Sequence, residues 1–498
     1  MNKPSFFKYL FFFVFCIIPF FCSYAQVSGF PEPQINAGIA KVYGKLNDPS
    51  SQISSLILEF SNLVTADRSY IDTKKEKDGS FYFEVPIECS TVIGAISSPG
   101  FGGVLIELSS EKPINVELRA NSTGNLEIDS ISGSKYLSNQ DKINCAVALN
   151  RFLGYNNGNI ELMCKMTPEE FVNNEMDLMQ KRIDYAMKDY YFSEQGKTYA
   201  LNELHLLYLW GWLLPYKERV ESLCPDRNNV QVTDIHYYTF LKSFNLNNSQ
   251  NLLCYYSYSN LMQRLLTVKA FNIPPISDTP IEKWLNNVKA TLRDLVGFDT
   301  GQFYDLLVAN AYAKQFNDEV THLSDKQKDN IKEYFGDGEI AKILLRKNEE
   351  IIKMAARKSK VVVNETPKVS KEKLMTAIIS KYKDKVVVVD FWATWCGPCL
   401  EAMQLIGTIK NQLKDKDIVF VYITNGSSPE KTWNKKILSI PGEHYYVSAK
   451  EWEYFKESFG FKGIPSYLIY DSNGNLKNQF TGYPGNEKMR VMIERLLP

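Results

Sequence analysis

Hydrophobic and polar residues follow three successive patterns along the chain. From residue 36 to about 133, short apolar segments partly alternate with polar residues, and turn residues such as Asp78-Gly79 separate them, as between β-strands. From 135 to about 360, apolar residues recur at intervals of three and four, which predicts helices. Further on, the nearly continuous apolar run Lys385–Trp392 precedes another helical pattern. The order predicted is an all-β sandwich-like domain, an α-helical domain and an α/β domain.

The boundaries of the predicted elements set the predicted domains. The predicted strands are Ile39–Gly44, Leu56–Phe60, Phe81–Val85, Val92–Ile96, Val104–Leu108 and Ile114–Leu118. The predicted helices include Glu169–Tyr191, Ala200–Leu214, Ser259–Phe271, Pro280–Leu295 and Lys326–Lys360. Pro367 interrupts the pattern after the last helix, so 361–370 is interpreted as a linker. We therefore predict an accessory β domain at 26–134, a helical domain with its linker at 135–365, and an α/β domain at 366–498.

The first 25 residues have the pattern of a signal peptide. Lys3 and Lys8 are followed by the apolar run Leu10–Cys22, which is too short to span a bilayer. Ser23-Tyr24-Ala25 then places small residues where a signal peptidase cuts. Cleavage after Ala25 and a location in the periplasm are expected, and an uncleaved membrane anchor is the alternative.

Composition and charge exclude several classes of protein. The chain has 498 residues, of which 44% are hydrophobic, and this is ordinary globular composition for two or three domains. Its 57 basic and 57 acidic residues cancel. A balanced charge gives no support for nucleic-acid binding as the main function.

The candidate chemistry is a pair of cysteines, Cys396 and Cys399, separated by Gly397 and Pro398. The pair follows the predicted buried strand and begins a predicted helix. The unpaired N–H groups and the dipole of a helix N-terminus stabilise a thiolate, so the pKa of Cys396 is expected to be lowered. Cys399 lies one turn further on, within reach of a disulfide, and Pro398 is tolerated because a first turn does not need its N–H.

Other interpretations of the cysteines fit the sequence less well. A metal site is disfavoured because neither a second Cys-x-x-Cys nor a paired histidine accompanies the pair, and no metal or cofactor is predicted. A purely structural disulfide fits poorly with a strand–Cys-Gly-Pro-Cys–helix context. Five further cysteines lie between the predicted signal peptide and this pair. Their spacing leaves open how they are connected by disulfides, and it is equally consistent with buried free thiols. They are Cys89, Cys145, Cys164, Cys224 and Cys254.

Residues from about 370 to 498 resemble thioredoxin, and more closely the periplasmic TlpA/ResA-type thiol-disulfide oxidoreductases. The resemblance rests on Trp395-Cys-Gly-Pro-Cys399 after a Phe-Trp-Ala strand end, on Asp390 six residues before Cys396, on Gly463-Ile464-Pro465 before a strand, and on Gly482. It implies a thioredoxin fold at the end of a large N-terminal extension. It also implies a cis-Pro465 beside a redox-active disulfide of Cys396 and Cys399.

The resemblance implies roles for the surrounding residues. Asp390 would be the buried carboxylate that relays a proton to and from Cys399. Ile464 would offer backbone hydrogen bonds to a protein substrate. The surface on which that substrate docks would be shaped by Pro465 together with Trp395, Gly397 and Pro398. His444 is expected to lie in the core or on the surface rather than to take part in the redox site.

The resemblance also implies a direction and partners. Gly397-Pro398 and Ile464 are similar to reducing thioredoxins, so a disulfide reductase for oxidised protein substrates is favoured over an oxidase or isomerase. A reductase outside the cytoplasm needs a membrane electron donor of the DsbD/CcdA type, and cytochrome c maturation is one candidate process. Homo-oligomerisation is possible. The long extension leaves another hypothesis, an envelope binding or scaffold protein with an accessory thioredoxin unit.

Two positions depart from the family pattern. Gln404 occupies the place of a proline that usually kinks the helix after the cysteines, so a straighter helix is expected. Ala402 stands where the TlpA/ResA branch often has a glutamate, while the acidic residue here is Glu401. One residue rotates that carboxylate by about 100° around the helix axis, which argues against the same catalytic role.

Overall fold

The computed structural model describes most of the chain after residue 31. The described ranges are 32–48, 53–99, 101–122, 124–155, 160–224, 234–356 and 361–497. The predicted signal peptide, with its cleavage after Ala25, lies outside these ranges. No helix within them is long and apolar enough to cross a membrane.

The first region consists of eight strands, counted over the described residues. They are β1 (Ile35–Asn47), β2 (Ser55–Ser61), β3 (Arg68–Lys74), β4 (Ser80–Cys89), β5 (Thr91–Ser98), β6 (Phe101–Ser109), β7 (Ile114–Ala120) and β8 (Leu126–Ser132). Strand β1 shows why they form, because Ala40 and Val42 are buried while Lys41 and Tyr43 are exposed. Two four-stranded sheets result, in the orders β4-β1-β7-β8 and β3-β2-β5-β6.

The second region is helical, with ten α-helices in the part of the chain that the structure describes. They are α1 (Asn139–Gly154), α2 (Ile160–Met163), α3 (Pro168–Met187), α4 (Glu194–Tyr208), α5 (Tyr216–Leu223), α6 (Ser257–Leu265), α7 (Ile281–Val296), α8 (Gln302–Glu319), α9 (Asp325–Phe335) and α10 (Glu339–Ala356). Ser138 and Thr167 start α1 and α3 with capping boxes, so both helix N-termini are satisfied locally. The predicted helix 200–214 is divided, because a π-helical turn, Leu209–Leu213, follows α4.

The β-rich and helical regions share one hydrophobic core. Buried side chains of the strands, such as Phe83 and Ile106, belong to the same contiguous cluster as Leu207 of α4. A buried carboxylate reinforces the junction, because Glu107 on β6 accepts the backbone N–H of Leu137 at 2.6 Å and lies 3.6 Å from Lys142 Nζ on α1. The two regions are therefore joined by packing as well as by the chain.

The third region is a mixed sheet of six strands among the residues described. They are β9 (Val361–Asn364), β10 (Val386–Phe391), β11 (Ile418–Asn425), β12 (Gly442–Val447), β13 (Ser466–Tyr470) and β14 (Leu476–Thr481), in the order β14-β13-β10-β11-β12-β9. The helices are α11 (Lys371–Ile379), α12 (Gly397–Gln412), α13 (Glu430–Lys436), α14 (Ala449–Ser458) and α15 (Asn486–Glu494). Central β10 runs parallel to β11 and antiparallel to β13. The predicted fold class, β then helical then thioredoxin-like α/β, is confirmed.

The start of the third region also differs from its sequence interpretation. Residues 361–364, read as the start of a linker, form β9, which pairs in parallel with β12 at the edge of the sheet. Three consecutive valines favour an extended backbone. Their sequence does not show which strand they pair with, and only the structure identifies β12 as the partner. The sheet of the third region therefore begins before the predicted linker ends.

The five described cysteines before the C-terminal region divide into one disulfide and three free thiols. Cys164 and Cys224 are bonded across 60 residues, joining the end of α2 to the end of α5. Cys89, Cys145 and Cys254 are free and buried. Both alternatives that the spacing left open therefore occur in this chain.

Removal of the Cys164–Cys224 disulfide should destabilise the helical region. Closing a loop of this length restricts the unfolded chain, and the Cys164→Ser/Cys224→Ser double variant is expected to lose about 4 kcal/mol of unfolding free energy. Urea denaturation of the oxidised proteins measures this. The Cys89→Ala variant, which removes a buried free thiol, is the control and should lose less; an equal loss in both would contradict a stabilising cross-link.

Candidate functional site

The Cys396–Cys399 pair lies where buried strand β10 passes into helix α12. Cys396 is the N-cap of α12 and forms a disulfide with Cys399, with an S–S distance of 1.98 Å. Its sulfur also accepts the backbone N–H of Cys399 at 3.2 Å. Gly397 and Pro398 open the first turn, where Pro398 replaces an N–H that the helix does not use. On reduction, the sulfur of Cys396 would stay at the positive end of the helix dipole.

The loop before β13 lies against the disulfide. The Ile464–Pro465 peptide bond is cis, as the resemblance predicts, and the carbonyl oxygen of Ile464 is 3.8 Å from the sulfur of Cys396. The N–H of Gly482 donates to the carbonyl of Pro465 at 2.8 Å, which ties the loop to the end of β14. The structure thus brings together the Cys pair, Ile464, Pro465 and Gly482 from distant parts of the sequence.

Trp395 presents a large apolar surface next to the cysteines. Its side chain is 63% exposed, and its indole N–H donates to Ser427 Oγ at 3.3 Å. Ser428, in the same loop after β11, accepts the backbone N–H of Thr394 at 3.0 Å. The loop after β11 therefore holds the turn that carries Trp395 while leaving the ring open to a partner.

Asp390 lies on β10 and is buried. Neither of its carboxylate oxygens has a hydrogen-bond partner among the described residues. Burial raises the pKa of Asp390 to about 8, and Lys410 and Tyr467 oppose the rise more weakly. At neutral pH the group is mostly protonated, and a small change of pH or charge moves it between acid and base, which suits a proton-relay group.

Lys410 is a member of this site that the sequence reasoning missed. It extends from the last turn of α12, and burial lowers its pKa to about 8 against the opposing effect of Asp390. Its ammonium donates to Tyr422 Oη at 3.1 Å and to the carbonyl of Pro441. In sequence it appears as an ordinary basic residue near a helix C-terminus, so only the tertiary structure reveals its proximity to Asp390.

His444 lies in the core and packs against Tyr422. Its ring is stacked on Tyr422 with centroids 5.0 Å apart, and Nε2 lies 2.8 Å from the carbonyl of Ile440. Burial lowers the pKa of His444 to about 4, so the ring is neutral at physiological pH. Within the described ranges, no group of three or more His, Cys, Asp or Glu residues could hold a metal ion.

The two departures from the family pattern lie on α12. The helix runs without a break from Gly397 to Gln412, in agreement with the expectation for Gln404 in place of proline. Ala402 is buried, whereas Glu401 lies partly exposed on another face. The side chain of Gln404 donates to the backbone carbonyl of Arg68 on β3 at 3.2 Å. This face of the redox helix therefore touches the β-rich region.

Known proteins resemble the C-terminal part of the chain. A family model described as thioredoxin-like matches residues 384–476. The chain is 32% identical over 103 residues to a thioredoxin of Mycobacterium tuberculosis, an alignment that covers 21% of this chain and 84% of that protein. It is 24% identical over 120 residues to the thiol-disulfide oxidoreductase ResA of Geobacillus thermodenitrificans, covering 24% of this chain and 68% of ResA.

A solved structure also matches part of the chain. The thioredoxin domain of a thiol-disulfide oxidoreductase from Bacteroides vulgatus is 20% identical and covers 24% of this chain and 84% of its own, with a TM-score of 0.21. Each of these alignments covers a quarter of the chain or less.

The buried Asp390 should make stability depend on pH in a specific direction. Its folded pKa of about 8 lies above its unfolded value, so the folded protein keeps a proton that the unfolded chain releases, and stability falls as pH rises from about 4 to about 8. The oxidised Asp390→Asn variant should therefore be more stable than the wild type by at least about 2 kcal/mol at pH 8, and this difference should disappear towards pH 4.

Denaturant unfolding at several pH values measures that difference. Asp415→Asn, at an exposed position after α12, is the matched control and should show no such trend. A gain in Asp390→Asn that is the same at all pH values would mean that the carboxyl does not titrate in this range.

Proposed function

The chain belongs to the thioredoxin family through its C-terminal region and is a thiol-disulfide oxidoreductase, and from that premise we propose that it reduces disulfides of proteins outside the cytoplasm. The observation that carries the proposal is the arrangement of the two sulfurs. Cys396 lies at the helix N-terminus beside the backbone of Ile464 and between the exposed Trp395 and Gly397, with 3% of its own surface exposed, while Cys399 is completely buried. One sulfur is thus placed to meet a partner and the other to resolve the intermediate.

The reaction proceeds in two exchanges. The thiolate of Cys396 attacks a sulfur of the substrate disulfide, forms a mixed disulfide and releases the other substrate sulfur as a thiolate. Cys399 then loses its proton to Asp390 and attacks Cys396, which breaks the mixed disulfide and frees the second substrate thiol. The Cys396–Cys399 pair gives up two electrons and is oxidised to the disulfide. The two substrate thiolates are protonated by the proton that Asp390 took from Cys399 and by one from solvent, which replaces the proton that Cys396 lost on becoming a thiolate.

The environment of Asp390 supports its part in the second exchange. A carboxyl with a pKa of about 8 can accept a proton and return it near neutral pH. The cation of Lys410 stabilises the ionised form of Asp390, which is the form that accepts the proton. Trp395 and the backbone of Ile464 then provide the surface on which the substrate's extended segment docks.

Two features support a location outside the cytoplasm. The Cys164–Cys224 disulfide in the helical region has no Cys-x-x-Cys motif and closes a long loop, as structural disulfides of secreted proteins do. The leader pattern of residues 1–25 agrees with export. In such a compartment the Cys396–Cys399 pair needs electrons from a membrane donor of the DsbD/CcdA type, and oxidised apocytochrome c is one candidate substrate.

Substitution of the two cysteines should separate the two exchanges. Cys396→Ser is expected to abolish reduction of a protein disulfide, because no other described free thiol is accessible. Cys399→Ser should instead accumulate a mixed disulfide between Cys396 and the substrate, visible on non-reducing gels. Cys145→Ala, which removes a buried free thiol, is the control and should retain activity; turnover by Cys396→Ser would overturn the assignment.

The direction of electron flow is tested by the reduction potential of the Cys396–Cys399 pair. Equilibration of the mature protein with a glutathione or dithiothreitol series should give a value near or below about −250 mV, as for reducing thioredoxins. A value above about −150 mV would mean that the pair oxidises its partners and that the proposed direction is wrong.

A further inference from the structure

Helix α3 carries an arginine, Arg182, that is buried in the helical region with 7% of its surface exposed. A guanidinium stays protonated in proteins, and its five N–H donors lie in one plane. Taking such a charge out of water is costly, so buried charges are usually paired with an opposite charge and hydrogen-bonded. The side chains around Arg182 determine how far its charge and its donors are satisfied.

Three aromatic rings surround this guanidinium. Its central carbon lies 5.1 Å from the ring centroid of Trp212, 5.5 Å from that of Tyr208 and 5.6 Å from that of Tyr155. Trp212 belongs to the π-helical turn after α4, and its ring stacks on Tyr208 with centroids 5.4 Å apart. The faces of these three rings, which we call the aromatic cage, attract a cation. They stabilise the charge of the guanidinium but supply no acceptor oxygen for its N–H groups.

No carboxylate balances this charge among the residues that the structure describes. The guanidinium of Arg182 makes no ion pair with them, and its buried Nε has no hydrogen-bond partner. The buried carboxylate of Glu175, two turns earlier on α3, instead accepts the hydroxyl of Tyr208 at 2.5 Å. The donors of Arg182 are therefore left for a group from outside this part of the chain.

A second arginine beside the same tyrosines is satisfied in the ordinary way. The guanidinium of Arg151 on α1 lies 5.6 Å from the ring centroid of Tyr185 and donates to the backbone carbonyl of Lys188 at 2.9 Å. The ring of Tyr185 in turn lies 5.2 Å from that of Tyr155, between centroids. Of these two neighbouring arginines, Arg151 has a carbonyl acceptor, whereas Arg182 is more deeply buried and has none.

The rim of the aromatic cage reaches the protein surface. Tyr155 and Trp212 are half-buried, and Tyr185, which packs on Tyr155, is 47% exposed. Within such a poorly hydrated site, a hydrogen bond between a guanidinium and an anionic oxygen is stronger than in water. The planar fork of N–H groups matches the oxygens of a carboxylate or a phosphate. The rings around it favour a ligand whose remaining part is apolar or aromatic.

We propose that Arg182 and the aromatic cage form a binding site for a small organic oxyanion. The carboxylate or phosphate oxygens of the ligand accept the guanidinium N–H groups, and its apolar part packs on Tyr155 and Trp212. The inference goes beyond the exchange reaction at Cys396 and Cys399 and does not depend on it. It gives the helical region a ligand-binding function of its own.

The test is binding of benzoate to the full-length mature protein, followed by ligand-detected NMR titration at constant ionic strength. Benzoate joins a carboxylate to an aromatic ring, and benzamide is the matched probe without the charge. The wild type should bind benzoate at least about tenfold more tightly than Arg182→Met, because hydrogen bonds between charged groups contribute that factor or more. Arg182→Lys keeps the charge without the planar fork and should give an intermediate affinity. Phenyl phosphate is titrated in the same way, and whichever probe binds more tightly identifies the class of oxyanion.

Arg151→Gln is the matched control and should bind benzoate as the wild type does, because the Arg151 guanidinium already has an acceptor. Equal affinity of Arg182→Met and the wild type, or benzamide bound as tightly as benzoate, would overturn the inference. A lack of saturable binding of both benzoate and phenyl phosphate would overturn it too. If Arg182→Met does not fold, Tyr155→Leu, which removes one wall of the cage, must weaken benzoate binding, and an unchanged affinity then contradicts the site. Cys396→Ser should keep the wild-type affinity, which separates this result from any failure of the exchange reaction.

Discussion

Burial of strand β10 on both faces is the constraint on which the redox site depends. The strand is hydrogen-bonded on both sides, to β11 and to β13, and its side chains pack into cores on both faces of the sheet. The residue at which β10 ends is therefore fixed. This also fixes the turn that places Cys396 at the start of α12. The pairing with β13 also sets the place of the Ile464–Pro465 loop beside the disulfide. Two segments that lie 68 residues apart in sequence thus meet at one sulfur.

The same burial determines the chemistry of Asp390. A carboxyl group in a dry interior resists ionisation, and a lysine in the same surroundings resists protonation, so the pKa values of Asp390 and Lys410 move towards each other. Both groups then titrate close to neutral pH, where ordinary aspartate and lysine do not. The strand that leads to the cysteine pair therefore carries a buried group able to take or return a proton near neutral pH, at the expense of folding stability.

The N-terminal regions form a shared core on which the thioredoxin-like region docks through α12, α13 and the segment before α15. Their strands and helices pack into one hydrophobic cluster, whereas the thioredoxin-like sheet has clusters of its own. Contacts through Gln404, Gly485 and Lys435 nevertheless join the two bodies. The departure from the family pattern at Gln404 has a physical explanation in this contact, since its side chain donates a hydrogen bond to the neighbouring region.

The sequence by itself determined the order of fold classes and the cysteine pair with its family, because strand alternation, helical spacing and a Trp-Cys-Gly-Pro-Cys segment are local signals. It also placed Asp390 and Ile464-Pro465 near the pair, through a family resemblance rather than through any local pattern. Only the tertiary structure decided the rest. Lys410 looks like an ordinary surface cation in sequence, and the partners of Cys164 and of the valines in β9 lie far along the chain. Long-range packing brings these groups together. The spacing of residues along the chain does not show which distant groups share a buried, low-dielectric environment.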